Sequence, residues 1–159
     1  MDDDADEVVF AEIYPRLRRF AAVVAPLDLD PDDLLQEAVA RALRTGPLVR
    51  LDHPVAYLRR TMLNLASNHN RTRGRERRAH VRLAPTEAAP SLEAYPSDLA
   101  DLERVSPEDR AVLYLADVER LPLDDVAAAL GIRPGTARAR ASRARARLRS
   151  ALAEQGDLP

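Results

Sequence analysis

The sequence predicts an all-α protein of two small helical domains joined by a flexible linker, the C-terminal domain being a helix-turn-helix. Apolar residues recur at steps of three and four through most of the 159 residues, which is the period of amphipathic helices. Asp30-Pro31 and Ser106-Pro107 each join a capping side chain to a proline, a pair that favours the first turn of a helix. The hydrophobic period and the capped starts therefore both indicate helices.

A stretch of different composition separates the two predicted domains. Residues 79–98 contain three prolines, several acids and no sustained hydrophobic period, so they are predicted to form an extended linker. A linker of ~20 residues is unusual inside one compact domain. The predicted division is therefore a helical domain at 1–78, the acidic linker, and a second helical domain at 99–159.

Charge is segregated into blocks along the chain. The totals of 24 basic and 26 acidic residues give a formal net charge of -2, which by itself says nothing about nucleic acid. Residues 59–82 contain eight arginines and one acid, and residues 133–149 contain seven arginines and no acid. The first 37 residues contain eleven acids. The two basic blocks are therefore the candidate nucleic-acid surfaces.

Several classes of protein have little support in this sequence. The chain contains no cysteine, which excludes disulfides and thiolate metal sites. His53, His69 and His80 fit no metal-ligand spacing, so no metal, no cofactor and no enzymatic activity are expected. No apolar run approaches the ~20 residues of a membrane span, and the acidic N-terminus is unlike a signal peptide. A cytoplasmic protein without a membrane partner is expected.

Two amphipathic helices are predicted in the first 45 residues. An acidic lead-in at Met1–Asp6 precedes a helix from Glu7, and Pro15 is expected to kink this helix or to mark its true start. Its apolar stripe consists of Phe10, Ile13, Leu17, Phe20 and Val24. A second helix follows Asp30, with Leu35, Ala38, Val39 and Ala42 as its buried positions. Its polar side carries Asp33, Gln36, Glu37 and Arg41.

The third predicted helix begins near Pro54 and is the longest. Its apolar seam consists of Val55, Leu58, Met62, Leu65 and His69, the last of which is predicted to be structural. A polar stripe beside the seam consists of Arg60, Asn64, Asn68, Arg71 and Arg75. Asparagine side chains among arginines are typical of a nucleic-acid-binding surface, where the amides form hydrogen bonds with base edges and the arginines bind phosphates. A solvated helix face explains the same spacing equally well.

The helix-turn-helix is predicted between Leu121 and Leu152. Gly131 follows one apolar-faced helix at a position suited to a left-handed turn, and Pro134 begins the next. The buried seam of the last helix consists of Ala137, Ala141, Ala144, Leu148 and Ala151, and its opposite face of Ala139, Ser142, Ala146 and Ser150. Arginines 138, 140, 143, 145, 147 and 149 flank these faces. Short side chains between arginines would let the helix approach the floor of a major groove. Because no acid within the helix balances the arginines, this interpretation is favoured over a solvated helix.

With these segments placed, the chain resembles the extracytoplasmic-function (ECF) sigma factors of bacterial RNA polymerase. Asp33-Leu34-Leu35-Gln36-Glu37 is similar to a motif of the family's region 2, and the segment from Ala56 to Arg60, with Asn64 and Arg71, resembles the next segment of that region. Ser106–Leu113 resembles the opening of region 4, and two short motifs at 135–138 and 142–144 resemble its last helix. Tyr57 and Asn68 stand where many relatives carry tryptophan and aspartate.

The resemblance implies a transcription initiation factor that is not an enzyme. Its implied partners are core RNA polymerase, through the β′ clamp helices and the β flap, promoter DNA, and an anti-sigma factor. Polymerase would contact Asp33, Leu34, Gln36, Glu37 and Arg41. The -10 element would be opened and held by the loop 48–53 with Arg60, Asn64, Asn68, Arg71 and Arg75. The -35 element would be read by Thr136, Arg138, Arg140, Ser142, Arg143, Arg145 and Arg147.

One alternative comes from a neighbouring class of protein. An autonomous helix-turn-helix regulator would use the N-terminal half as a sensor or dimerisation module, and it would bind a palindromic site as a dimer. That hypothesis leaves the polar stripe of the third helix without a role.

Overall fold

All regular elements in the described part of the chain are helical, which confirms the predicted all-α class. The computed structural model describes residues 2–83 and 105–156, so most of the predicted linker lies outside it. The helices are α1 (Asp2–Val24), α2 (Pro31–Thr45), α3 (Pro54–Leu83), α4 (Pro107–Leu113), α5 (Leu123–Leu130) and α6 (Pro134–Gly156). A 3₁₀ turn at Leu48–Arg50 precedes α3, and a π-helical turn at Tyr114–Val118 continues α4.

The two capped helix starts form as the sequence predicts. Asp30 precedes α2, and its side chain accepts a hydrogen bond of 2.7 Å from the amide of Asp32. Ser106 precedes α4 in the same way, with the amide of Asp109 donating to its hydroxyl over 3.2 Å. Each cap satisfies an amide that has no partner inside its helix, and the proline after each cap has no amide to satisfy.

Two predicted boundaries differ from the structure. Helix α1 begins at Asp2, so the acidic lead-in is helical, and acids in a first turn are stabilised by the helix dipole. Of the two positions considered for Pro15, inside the helix or at its start, the structure shows the first. Helix α3 runs to Leu83, past the expected linker start at residue 79, because no proline lies between Pro54 and Pro85 to end it.

The first three helices pack into one N-terminal unit. Leu17 and Phe20 of α1, Leu34 of α2, and Leu58 and Met62 of α3 are at most 2% exposed and belong to one apolar cluster. The predicted stripe of α1 is confirmed at its later positions, since these face the cluster. Burying a Leu, Met or Phe side chain contributes about 1.5–3 kcal/mol, so this cluster is the main force that holds the unit together.

Helices α4, α5 and α6 form a C-terminal unit around Val112, Leu115, Val126 and Ala141. The amide of Glu119 bonds to the carbonyl of Tyr114 over 3.0 Å, which closes the π turn. Gly131 ends α5 with a φ of 67°, the left-handed conformation predicted for this turn.

The two units pack against each other, a contact that no motif in the sequence predicts. The rings of Phe20 and Tyr114 meet edge to face with their centroids 6.1 Å apart. A guanidinium nitrogen of the buried Arg110 donates over 3.2 Å to the carbonyl of Val24 at the end of α1. Core residues of both units belong to the same apolar cluster. In this structure the units therefore share one hydrophobic core.

Candidate nucleic-acid interface

Helix α6 has the two faces that its sequence predicts. Four of the five seam residues, Ala137, Ala141, Ala144 and Ala151, are buried, and Leu148 is half-buried. The opposite face is exposed and consists of Ala139, Ser142, Ala146 and Ser150. Short side chains on that face leave room for the helix axis to approach a groove floor.

Most of the arginines beside this face are paired with acids of their own unit. Arg138 contacts Asp124 at 3.1 Å, and Arg145 contacts Asp117 at 2.6 Å. Arg140 and Arg147 converge on the carboxylate of Asp109, at 3.0 and 3.6 Å. The absence of acids within the helix made these arginines look uncompensated, but the acids come from α4, α5 and the π turn. These four side chains therefore also fasten α6 to its unit.

Asp109 differs from the other acids because it is only 4% exposed. A buried carboxylate is costly unless charged partners surround it, and here Arg140 and Arg147 supply them. Arg140, predicted as a -35 contact, thus has a structural role whatever its part in binding DNA.

Arg143 is arranged differently from its neighbours. Its side chain is exposed beside Ser142 on the outer face, and the described residues offer it no acidic partner. Thr136, near the start of α6, is half-exposed. Of the arginines predicted at the -35 site, Arg143 is the one positioned to bind a ligand without first breaking an ion pair.

On α3 the polar stripe is exposed at Asn64, Asn68, Arg71 and Arg75. The Asn68 side-chain oxygen accepts a 2.6 Å hydrogen bond from Arg71, which orients both groups. Arg71 and Arg75 line an open cleft between α3 and the start of α4. A solvent-facing row of amides and guanidinium groups can bond bases and phosphates together.

Arg60 belongs to the same predicted stripe but contacts the other unit. It donates hydrogen bonds to the carbonyls of Ala128 and Ala129, over 2.9 and 3.0 Å, at the end of α5. These carbonyls carry the negative end of the helix dipole, so a cation is favoured there. Binding of DNA by Arg60 would require these contacts to break.

Arg59 is a structural residue that the sequence reasoning missed. Its side chain is 3% exposed, forms an ion pair with Glu119, and lies over the ring of Phe20 at 5.3 Å from its centroid. A signal was present, because Arg59 stands four residues after Val55 and three before Met62, at the spacing of a buried face. The spacing was not interpreted in this way because arginine is rarely buried.

The polar side of α2 is exposed as predicted at Asp33, Gln36, Glu37 and Arg41. Arg41 bonds to Glu37 at 2.7 Å, and this hydrogen bond holds the pKa of the Glu37 carboxyl below its usual value. Leu34, the fifth residue expected to contact polymerase, differs from these four because it is 2% exposed and packs in the core. The side chain joins Leu35 on the apolar side of the helix.

His69 has the structural role that its position predicts. Its ring nitrogen lies 2.8 Å from one oxygen of Asp28, and Arg73 lies 3.0 Å from the other. This cluster fastens the loop between α1 and α2 to α3. Within residues 2–83 and 105–156, no group of three or more His, Cys, Asp or Glu side chains could hold a metal ion. Those same residues include no helix long and apolar enough to cross a membrane.

The ion pairs of Asp28 and Asp117 predict acid sensitivity. Burial alone would raise the pKa of Asp28, but hydrogen bonding to His69 and the nearby charge of Arg73 lower it overall. The hydrogen bond from Arg145 lowers the pKa of Asp117. A carboxyl whose pKa is lower in the folded state stabilises the fold above its unfolded pKa, and that contribution disappears as the pH falls through the folded pKa.

We therefore expect thermal stability to fall as the pH drops below about 4, the ordinary pKa of an aspartate, and to go on falling through the lower folded-state pKa values of these two carboxyls. A variant carrying Asp28→Asn and Asp117→Asn should have a lower melting temperature at neutral pH than the wild type. Its melting temperature, measured by circular dichroism, should fall less as the pH is lowered. Asp125→Asn is the matched control, since Asp125 is exposed and has no ion-pair partner among the described residues. Equal slopes for the double variant and the control would contradict the assignment.

Comparison with known proteins extends the resemblance to nearly the whole chain. Residues 102–148 match the family described as Sigma-70, region 4. The RNA polymerase sigma-E factor of Streptomyces coelicolor is 34% identical over 155 residues, covering 92% of this chain and 88% of that protein. The ECF RNA polymerase sigma factor SigM of Mycobacterium tuberculosis is 32% identical and covers 92% of this chain and 76% of that protein.

A solved structure has the same fold. The sigma factor RpoE of Bartonella quintana, in complex with the anti-sigma factor NepR, matches with a TM-score of 0.63 and 24% identity. The match covers 96% of this chain and 98% of that chain. Because these two relatives are 34% and 32% identical to this chain and each match covers 92% of it, this chain belongs to the ECF family of RNA polymerase sigma factors.

Proposed function

We propose that this sigma factor binds core RNA polymerase, directs it to promoters by recognising -10 and -35 elements, and helps to open the DNA. The observation that carries the proposal is the presence of two separate exposed basic faces, on α3 and α6, in one chain. An initiation factor has two DNA elements to contact, so each face has a role. The proposed division places -10 recognition in residues 1–78 and -35 recognition in residues 99–159.

At the -35 element, α6 would lie in the major groove with its small-residue face toward the bases. Arg143 and Ser142 lie on or beside that face, and Thr136 lies near its start. Arginine forms bidentate hydrogen bonds with guanine in this groove, which makes Arg143 the main candidate for base recognition. Arg138, Arg140, Arg145 and Arg147 would contribute positive charge toward phosphates while staying near their acidic partners.

At the -10 element, the exposed stripe of α3 would bind strands as they separate. Asn64 and Asn68 supply amides, Arg71 and Arg75 supply charge, and Asn64 is the candidate for a base-specific contact. Unpaired bases expose hydrogen-bonding edges that a duplex hides, so capturing them would favour the open state. Arg60 would join the stripe after the two units move apart.

Polymerase binding is proposed for the exposed side of α2. The charged surface on that side consists of Asp33, Gln36, Glu37 and Arg41. No contact described above joins it to another helix, so it would be free to dock on the β′ clamp helices. The C-terminal unit would contact the β flap. Initiation would take place in the cytoplasm without catalysis by the chain itself, and an anti-sigma factor is a further proposed partner.

An autonomous regulator remains the competing hypothesis, and the sequence similarity does not favour it. A regulator of that kind would bind a palindromic site tightly as a dimer. Transcription in vitro with core polymerase, this protein and a library of genomic fragments separates the two hypotheses. We expect initiation from a defined set of fragments only when both proteins are present, and tight sequence-specific binding by the free chain would contradict the proposal.

Replacing Arg143 with alanine is expected to change which -35 sequences are used in that assay. Losing one bidentate contact costs roughly 1–3 kcal/mol of discrimination at a single base pair. Arg149→Ala is the matched control, because it removes the same charge from an exposed site one and a half turns away and should weaken use of all promoters alike. An unchanged -35 profile for Arg143→Ala would contradict the assignment of base recognition to this residue.

A further inference from the structure

The loop between α2 and α3 is held by a residue from the start of α1. An oxygen of the Asp6 carboxylate accepts a 2.9 Å hydrogen bond from the backbone amide of Val49. Asp6 is half-buried at this contact, whereas Asp3 and Asp4, earlier in the same helix, are exposed. The bond joins residues that are 43 positions apart in the sequence.

The local sequence explains why the loop needs a distant partner. The 3₁₀ turn Leu48–Arg50 is preceded by Pro47, whose side chain has no acceptor with which to cap it. The turn closes through Arg50 to Pro47 and Leu51 to Leu48, at 3.1 and 3.0 Å, and neither bond involves the amide of Val49. The first amides of a helical turn have no partner within it, and Asp6 satisfies this one.

The loop is thereby attached at two adjacent points. The side chain of Leu48 is 1% exposed in the core, and the amide of Val49 is bonded to Asp6, while the Val49 side chain itself is 39% exposed. Leu48 fixes the position of the turn, and the Asp6 bond fixes its rotation about that point. The two attachments together place the backbone from which the exposed side chains of Arg50 and Asp52 project.

We propose that Asp6 is a positioning residue for promoter opening, which sets the shape of the loop 48–53 so that it can receive the -10 element. This inference rests on the proposed function of that loop. Charge alone would have the opposite effect, because a carboxylate beside a DNA-binding loop repels phosphate. Removing Asp6 should therefore impair opening if the residue positions the loop, and improve it if only its charge matters.

The test compares Asp6→Ala, Asp6→Asn and Asp4→Ala in the full-length chain. Asparagine keeps an oxygen acceptor for Val49 and loses the charge, whereas Asp4→Ala removes the same charge from an exposed site on the same helix. Hydrogen exchange of the Val49 amide, read by nuclear magnetic resonance, reports on the bond itself. Opening of a promoter labelled with 2-aminopurine in its -10 element, with core polymerase, reports on function.

We expect Asp6→Ala to speed exchange of the Val49 amide and to slow promoter opening by about tenfold, the scale of one charge-assisted hydrogen bond. Preference among -10 sequences should flatten, while -35 preference and affinity for core polymerase stay at the wild-type level. Asp6→Asn should recover most of the loss, and Asp4→Ala should match the wild type.

Three results would overturn the inference. The first is equal exchange of the Val49 amide in Asp6→Ala and Asp4→Ala, and the second is faster promoter opening in Asp6→Ala. The third is a parallel loss of -10 preference, -35 preference and polymerase affinity, which would mean general destabilisation. Failure of the wild type to initiate with core polymerase is a separate outcome. It would overturn the proposed function, and the role of Asp6 in opening with it, even where Val49 exchange shows that the bond exists.

Discussion

Replacing Asp109 with alanine is expected to destabilise the protein by about 2–4 kcal/mol, since it removes a buried carboxylate that pairs with two arginines. Asp109 is 4% exposed and contacts Arg140 and Arg147 from α6. Without it, the half-buried guanidinium of Arg140 loses its 3.0 Å partner and must turn toward water or stay uncompensated. Urea unfolding followed by circular dichroism measures the loss.

The control for this variant is Asp124→Ala. Asp124 also pairs with an α6 arginine, Arg138, but both side chains are largely exposed. Exposed pairs contribute about 0–1 kcal/mol because water and salt screen them, so this control should remain close to the wild type. If the two variants were equally stable, burial of Asp109 would not be the reason that its ion pairs matter.

The same comparison bears on DNA recognition. Loss of Asp109 releases Arg140 and Arg147 without removing either arginine. A change in promoter use by Asp109→Ala would therefore be caused by movement of these two side chains. Arg140→Ala cannot be interpreted as the loss of a base contact alone, because it also leaves Asp109 with a single, more distant partner at 3.6 Å. Arg143, which carries no such structural burden, is the cleaner site for testing specificity.

The sequence predicted those parts of the fold that depend on local signals. The caps at Asp30 and Ser106, the left-handed Gly131 and the alanine seam of α6 follow from residue type and spacing, and the structure confirms them. Each involves residues within a few positions of one another, where preference for a conformation is decided by neighbours along the chain.

The contacts that sequence reasoning missed join residues distant along the chain. Arg59 pairs with Glu119, Arg60 with the end of α5, and Asp6 with Val49. Periodicity identifies which face of a helix is apolar, but it does not identify the partner that will lie opposite a charged residue. The arginines of α6 show the same limit, because their acidic partners lie on other elements. The sequence predicted the exposed faces of α3 and α6, but it did not predict that arginines beside them would pair with acids of the same chain.

The largest effect on the contact between the units is expected from Arg59→Ala, which should cost about 3–5 kcal/mol by leaving Glu119 without its buried partner. The change also removes the cation that lies 5.3 Å from the centre of the Phe20 ring, where α1 meets Tyr114. Separation of the units can be measured by fluorescence transfer. The chain has no cysteine, so Val8→Cys and Leu152→Cys, at sites 68% and 65% exposed, provide the two dye positions.

A second variant distinguishes the ion pair from the packing around it. Arg59→Met combined with Glu119→Leu removes both charges and keeps comparable volume, and such replacements of buried pairs are often neutral or stabilising. We expect the double variant to keep the transfer efficiency of the parent protein that carries the same two dyes, while Arg59→Ala lowers it. Equally low efficiency in both would mean that the charges themselves hold the units together. Wild-type efficiency in Arg59→Ala would instead show that the apolar core shared by Phe20 and its neighbours is sufficient, and that Arg59 only fills the space between them.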